Sequence, residues 1–253
     1  IGTPGTVHEN APFAIAAMTG AASIFYLFVI TSFVANAIVR DDTTGFGPIV
    51  KATAIGKRNY VSGRFLGGLA VALLGYLAVP FGMLCGSMMP WVDPETVGPQ
   101  NPVYYLWPYL VIAIPNILLS SSLLFGLATI TRSMLWSYIG VVILVMGYLI
   151  VSTIFGSQIE YRQIMAQYEP FGFGAISEAT RYWTAADMNS KLLPLEGVLL
   201  FNRIFVIALA AILLALTYWR FSMAERAPSK RRLKKLALMQ KGDASEPTPQ
   251  AVV

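Results

Sequence analysis

The sequence predicts an all-α integral membrane protein, and three observations predict it. Only 12% of the 253 residues are charged and 56% are hydrophobic, where soluble domains carry about 25% charged residues. Mean hydropathy is +0.61. The apolar residues gather into five runs of bilayer length, since about 20 residues cross the hydrocarbon core as a helix.

The first run is "APFAIAAMTGAASIFYLFVITSFVANAIV", Ala11 to Val39, and the second is "FLGGLAVALLGYLAVPFGMLCGSMM", Phe65 to Met89. The third covers roughly Tyr104 to Ile130. The fourth is "MLWSYIGVVILVMGYLIVSTIF", Met134 to Phe155, and the fifth covers roughly Val198 to Trp219. Pro80, Pro108 and Pro115 fall in or near these runs, where membrane helices tolerate proline if neighbours satisfy the freed carbonyls.

The loops between the runs alternate in charge. The insert after the first carries Arg40, Lys51, Lys57, Arg58 and Arg64 against Asp41 and Asp42, and the loop after the second has Asp93 and Glu95 and no Lys or Arg. A tight turn with Arg132 follows the third. The long segment Gly156 to Gly197 has five acids (Glu160, Glu169, Glu178, Asp187, Glu196) and three bases (Arg162, Arg181, Lys191). The tail "RFSMAERAPSKRRLKKLALMQK" is strongly basic. The positive-inside rule then places the insert, the Arg132 turn and the tail in the cytoplasm. The N-terminus, the Asp93 loop and the long acidic segment lie outside. Trp91, Tyr104, Tyr105, Trp107 and Trp219 sit at the predicted boundaries, as interfacial aromatic belts do. An outside start with an odd number of spans fits a missing upstream helix. The chain begins with Ile1 rather than Met, and "IGTPGTVHEN" has no signal-peptide pattern, so it reads as a fragment or processed form of something longer. Two domains follow: residues 1–222 within the membrane, and a basic tail, 223–253, whose end "GDASEPTPQAVV" reads as disordered.

Several functions are excluded or disfavoured. One cysteine, Cys85, leaves no internal disulfide or cysteine metal cluster. One histidine, His8, speaks against a zinc site or a histidine-based triad. There is no phosphate loop, no H-E-x-x-H and no G-x-S-x-G. The net charge of +5 is explained by topology, without nucleic acid. In the tail, Arg231, Arg232, Lys234 and Lys235 suit an anionic lipid surface, at roughly 1 kcal/mol per basic residue.

Four regions carry candidate function. In the insert, "TTGFGPIVKATAIG" reads as a short helix, with Pro48 at its first position and Gly56 as its stop. Ile49, Val50 and Ala54 would form a small apolar face, serving either a cytoplasmic partner or the lipid surface. In the outer segment, Tyr161, Ile164, Met165 and Tyr168 recur at helical spacing, as do Ile176, Ala179, Tyr182, Trp183 and Ala186. These predict two amphipathic helices joined by "PFGFG", a structural cap on the bundle in which Glu178 and Arg181 pair at i,i+3. Within the spans, Asn36, Asn116, Ser120 and Ser121 are candidates for a substrate path or for interhelical hydrogen bonds. No acid or base sits mid-span, and Arg203 lies near the outer end of the fifth run, which argues against a proton-driven carrier. The pairs Gly63/Gly67, Gly82/Gly86 and Ser122/Gly126 permit close helix packing.

Taken together, these features resemble the permease of a type-two ATP-binding-cassette (ABC) exporter. "VRDDTTGFGPIVKATAIGKRNYVSGRFLGG" and "YEPFGFGAISEATRYWTAADMNSKLLPLEGVLLFNR", with "NAPFAI", are similar to a bacterial branch whose longer members are fused to a zinc aminopeptidase. The resemblance covers all but the tail. It implies a six-span unit lacking its first helix. The insert would be a coupling helix gripped by a separate nucleotide-binding subunit, with Gly45, Phe46, Pro48, Ile49, Val50 and Ile55 as the docking region. It also implies a second permease half, as homo- or heterodimer, and the bacterial inner membrane as location. ATP and magnesium would sit on the partner, leaving this chain without a cofactor, a catalytic residue or a metal of its own. No peptidase motif is present, so an aminopeptidase would belong to a continuation or another chain. Two other functions are weighed against the exporter: a membrane scaffold that anchors an enzyme, and an ATP-independent secondary transporter.

Overall fold

A computed structural model describes residues 6–156 and 158–222. Every regular element among them is helical, and four helices are long and apolar enough to cross a membrane, or five if the bent first pair is one span. The elements are α1 (Pro12–Phe25) and α2 (Leu27–Asp41), α3 (Gly47–Ala52), α4 (Lys57–Gly86), α5 (Pro102–Thr131), α6 (Met134–Phe155), α7 (Arg162–Tyr168), α8 (Phe173–Ala179), α9 (Ala185–Ser190) and α10 (Gly197–Arg220).

The first run is one helix in hydropathy but two in shape. α1 and α2 meet at 45°, with no proline at the break. Just before it the Ser23 hydroxyl donates to the Gly20 carbonyl at 2.6 Å, a back-bond that bends helices. At the break itself Tyr26 reaches across and donates to the Ala72 carbonyl at 2.9 Å. A π-turn, Thr31–Ala35, widens the helix one turn later.

The second helix starts earlier than the apolar pattern predicts. α4 begins at Lys57, so Lys57, Arg58 and Arg64 belong to its first two turns and not to a loop. Gly56 does not stop α3; it is the N-cap of α4. α3 ends at Ala52, where the Thr53 hydroxyl donates to the Val50 carbonyl at 2.6 Å. α4 loses its regular bonding at Leu77, because Pro80 has no N–H and its ring crowds the preceding turn. The Leu77 N–H bonds Leu74 in place of Leu73. The released Leu73 carbonyl accepts from the Tyr109 hydroxyl at 3.0 Å. Tyr76 adds a bond to the Thr19 carbonyl at 2.6 Å and meets the Tyr26 ring edge-on at 5.0 Å. A tyrosine cluster therefore ties α1, α4 and α5 where all three depart from regular helix.

α5 is the axis of the bundle. Its most apolar window is 67% buried, against 6% for α6. Its own irregularity, a π-turn over Tyr109–Ala113, falls between Pro108 and Pro115. α10 packs along α5, and Gly126 provides the room: a Cβ there would lie 2.6 Å from the Thr217 hydroxyl. Of the small-residue pairs, Ser122/Gly126 is thus used within the chain. Gly63, Gly67, Gly82 and Gly86 face open space. At Gly68, which the pairs miss, a Cβ would lie 3.0 Å from the Val34 Cα, so the two backbones approach closely there.

At one end of the bundle the residues predicted to lie outside come together. The Glu9 N–H donates to the Thr96 carbonyl at 3.0 Å, and Asn10 exchanges two bonds with Gly98 at 2.7 and 2.9 Å. The His8 N–H donates to Asn189 Oδ1 at 2.8 Å. At the other end Asp41 accepts from Tyr60 at 2.7 Å and from Arg64 at 2.6 Å, and Lys57 lies over the Tyr218 ring at 4.6 Å.

The outer segment is three short helices and not two. The predicted second helix breaks after Ala179, because Thr184 and Asp187 form a capping box that starts α9 afresh. Lys191 and that cap hold the Asp187 carboxyl down at about 2. Glu178 does pair with Arg181, at 3.6 Å, and more closely with Arg162 of α7, at 2.9 Å. Ile176, Leu193 and Leu199 join Ala16 and Ile112 in a buried cluster under this cap.

Candidate functional site

The loop between α7 and α8 does not stay on the surface. "EPFG" turns into the bundle, and a buried polar network forms around it. Asn116, midway along α5, donates to the Phe171 carbonyl at 3.0 Å and to the Ser23 hydroxyl at 2.9 Å. Asn202 of α10 donates to the Gln167 and Glu169 carbonyls at 3.0 and 2.8 Å. Arg203, beside it, donates through Nη1 to Asn116 Oδ1 at 2.9 Å and through Nε to Asn202 Oδ1 at 2.9 Å, with Nη2 also on Asn202 Oδ1. The two amides thus satisfy loop carbonyls with their nitrogens and the guanidinium with their oxygens.

Glu169 completes the network. It is 5% exposed, and its carboxylate accepts from the Phe171 N–H at 3.0 Å and the Gly174 N–H at 3.1 Å. Gly172 holds φ at +93°, and a Cβ on it would strike the Arg203 guanidinium. Only glycine suits both conditions.

Burial pushes the Glu169 carboxyl up, against the opposing pull of the Gly174 and Phe171 N–H groups, the Tyr148 hydroxyl and Arg203. The folded protein then keeps this proton over a range where the unfolded chain has released it. Stability falls as pH rises through that range, beginning near the unfolded value of 4.5. Glu169→Gln is expected to remove that part of the fall. Thermal unfolding of both proteins in detergent from pH 4.5 upward checks it, and parallel curves would mean that Glu169 does not titrate there.

The predicted path residues divide. Asn116 is in the network. Ser120, one turn along α5, is buried and lines a cavity of about 570 Å³ together with Asn116. Ser121 is fully buried, and its hydroxyl has no partner. Asn36 is exposed and lies apart. Arg203 lies near the N-terminal end of α10, but it turns inward, and Glu169 is brought to it from a segment read as a plain cap. The carboxylates Glu160, Glu169 and Glu178 form no catalytic pair, and no cluster of metal-binding side chains occurs among the described residues.

In the insert, Phe46, Ile49 and Ile55 are exposed, at 51%, 58% and 44%. Val50 is buried at 8%, so it faces inward. Of the predicted face Ile49, Val50 and Ala54, Ile49 and Ala54 are exposed and Val50 is not; Phe46 and Ile55 are exposed beside them. Gly45 is exposed with φ at +73°, and Pro48 opens the helix. The tail residues Arg231, Arg232, Lys234 and Lys235 lie outside the described residues. No family model, curated protein or solved structure matches the chain.

Proposed function

We propose that the chain is the transmembrane permease subunit of an ATP-driven ABC exporter. A separate nucleotide-binding subunit, carrying ATP and magnesium, would dock on α3, and a second permease half would complete the transporter. The location would be the bacterial inner membrane, with the C-terminus in the cytoplasm and the basic tail against its lipid. An aminopeptidase, if one accompanies the complex, would lie on another segment or chain. The observation that carries the reading is α3 itself. It is a short helix between the first two membrane segments, with Val50 buried and Ile49, together with its N-cap Phe46, exposed. Closure of two ATPase subunits would move this element and bias the halves between inward- and outward-facing states. The bias equals ATP's differential affinity for the two states.

Sidedness tests it first. In a Cys85→Ser background, Ile49→Cys is expected to react with a membrane-impermeant maleimide only after inverted vesicles or lysed cells are used. Reaction from outside intact cells would place α3 on the wrong side for an ATPase. Purification from mild detergent should then bring down an ATPase.

One observation favours a second reading. Glu169 and Arg203 are buried ionisable groups beside a cavity, which is the usual mark of ion-coupled carriers. Substrate transport by the purified chain in liposomes without ATP, driven by a proton gradient and lost in Glu169→Gln, would establish an ATP-independent transporter. A scaffold would show neither activity.

A further inference from the structure

Two chambers meet beneath the outer helices. The larger, about 570 Å³, lies between α6 and α10 against the face of α5, with α7 as its roof. Its walls include Leu119 and Leu123 of α5, Leu144 and Val151 of α6, and Leu209 and Leu213 of α10. The smaller, about 450 Å³, lies toward the outer end and is lined by Ser152, Gln158, Arg162 and Ser177. Tyr148, Met165 and Glu169 border both chambers, so the apolar and polar spaces adjoin at the Tyr148–Glu169 edge.

Three physical points fix the occupant. First, an apolar cavity of this kind does not hold ordered water, and α6 turns Ile143, Met146 and Ile150 outward beside it, so the surrounding medium is hydrocarbon. Second, the volume lies in the range of small-ligand sites, about 300–1,000 Å³, which are mostly apolar with a few placed polar groups. Third, the polar end offers no uncompensated charge. Arg162 is paired with Glu178 at 2.9 Å, and Glu169 is held by two backbone N–H groups with Arg203 nearby. What it offers a ligand is neutral: the exposed Ser177 hydroxyl and Gln158 amide, beside the Tyr148 hydroxyl that Glu169 already engages.

We propose that the two chambers form one binding site for a single-chain amphiphile with an uncharged, hydrogen-bonding head group, of the monoacylglycerol type. The hydrocarbon chain lies between α6 and α10, and the head sits under α7 at Glu169 and Ser177. The proposal goes beyond the exporter reading and does not depend on it, because binding needs neither ATP nor a partner.

The test uses the purified chain in nanodiscs of phosphatidylethanolamine and phosphatidylglycerol, with a diazirine-bearing monooleoylglycerol as probe. Labelling is expected to saturate, to map to the lining residues Leu144, Val151, Leu209 and Leu213, and to be competed by monooleoylglycerol but not by equal oleate. Leu144→Trp, which fills the groove from α6, should lower labelling at least tenfold. Leu149→Trp, on the exposed face of the same helix, should leave it unchanged. If Leu144→Trp does not yield a monodisperse protein, Leu209→Trp fills the groove from the other wall and takes its place.

Unsaturable labelling spread over Ile143, Leu149 and Ile150 would mean ordinary lipid contact and overturn the site. Equal competition by oleate would overturn the neutral head. In a Cys85→Ser background, disulfide cross-links between Leu144→Cys on one copy and Leu209→Cys on another would show a second permease half in the groove, and would also overturn it. Failure here alongside a co-purifying ATPase leaves the exporter intact. Specific labelling of a chain that recruits no ATPase sinks the exporter and leaves the site.

Discussion

Ile49→Asp is expected to leave the chain folded and inserted while abolishing substrate-stimulated ATPase activity in a complex with the proposed nucleotide-binding subunit. Ile49 is 58% exposed, so in the isolated chain the change only moves a carboxylate into water, and surface substitutions usually stay within about 0.5 kcal/mol. In a docked complex the same position would be desolvated. Losing the buried isoleucine forfeits about 1.5–3 kcal/mol, and an unpaired charge in its place costs about 2–5 kcal/mol. Since each 1.4 kcal/mol is a factor of about ten, affinity falls at least a hundredfold. Val50→Asp should behave differently: Val50 is buried in the chain itself, so that variant should unfold locally before any partner is added. Size-exclusion profiles and ATPase rates of both variants, reconstituted with the ATPase, separate the two roles. Full ATPase stimulation in Ile49→Asp would remove α3 as the docking element.

The second large effect is expected at Arg203. Arg203→Met strips the acceptor bonds from Asn116 Oδ1 and Asn202 Oδ1 and leaves Glu169 without its neighbouring cation. Breaking a buried charged network from one side costs about 3–5 kcal/mol, and orphaning a buried acceptor costs about 1–3 kcal/mol. For a chain of this size each kcal/mol is about 2–4 °C of melting temperature, so a fall of several degrees at least is expected in detergent. Arg203→Lys should not restore it, because one ammonium lacks the fork that reaches both amides at once. A melting temperature within about 1 °C of the parent would mean that the "EPFG" loop is held by packing alone.

The regular helices were legible because hydropathy alone decides them. Met134–Phe155 matches the predicted fourth run residue for residue, and the third and fifth differ by a residue or two at their ends. The second was misjudged for a physical reason. Lys57, Arg58 and Arg64 carry charges that hydropathy reads as loop, yet a helix can continue for turns past the apolar zone when its charged side chains reach water or partners. Arg64 finds Asp41, and Lys57 finds the Tyr218 ring. The kink at Tyr26 was hidden because it carries no proline and coincides with a tertiary bond to Ala72 that no local pattern announces.

The network was legible only in part. Asn116 and Ser120 stood out as polar residues in an apolar run. Glu169, Asn202 and Arg203 did not, since their meaning depends on a loop turning inward, and no local pattern announces that. The one visible cue was "PFGFG". Gly172 in a left-handed conformation is what lets the chain reverse beneath α7 and start α8. The break between α8 and α9 had a readable cue as well, the T-x-x-D of Thr184 and Asp187, masked by helical spacing that ran on through it.

The grip of Tyr60 and Arg64 on Asp41 has a mechanical consequence. It staples the stretch from Asp41 to Arg64 into a closed stirrup, shut at its base by bonds and bearing α3 at its tread. A stirrup has no slack. Whatever presses on the tread is felt at once by both side-straps, α2 and α4, so the two would swing as one limb.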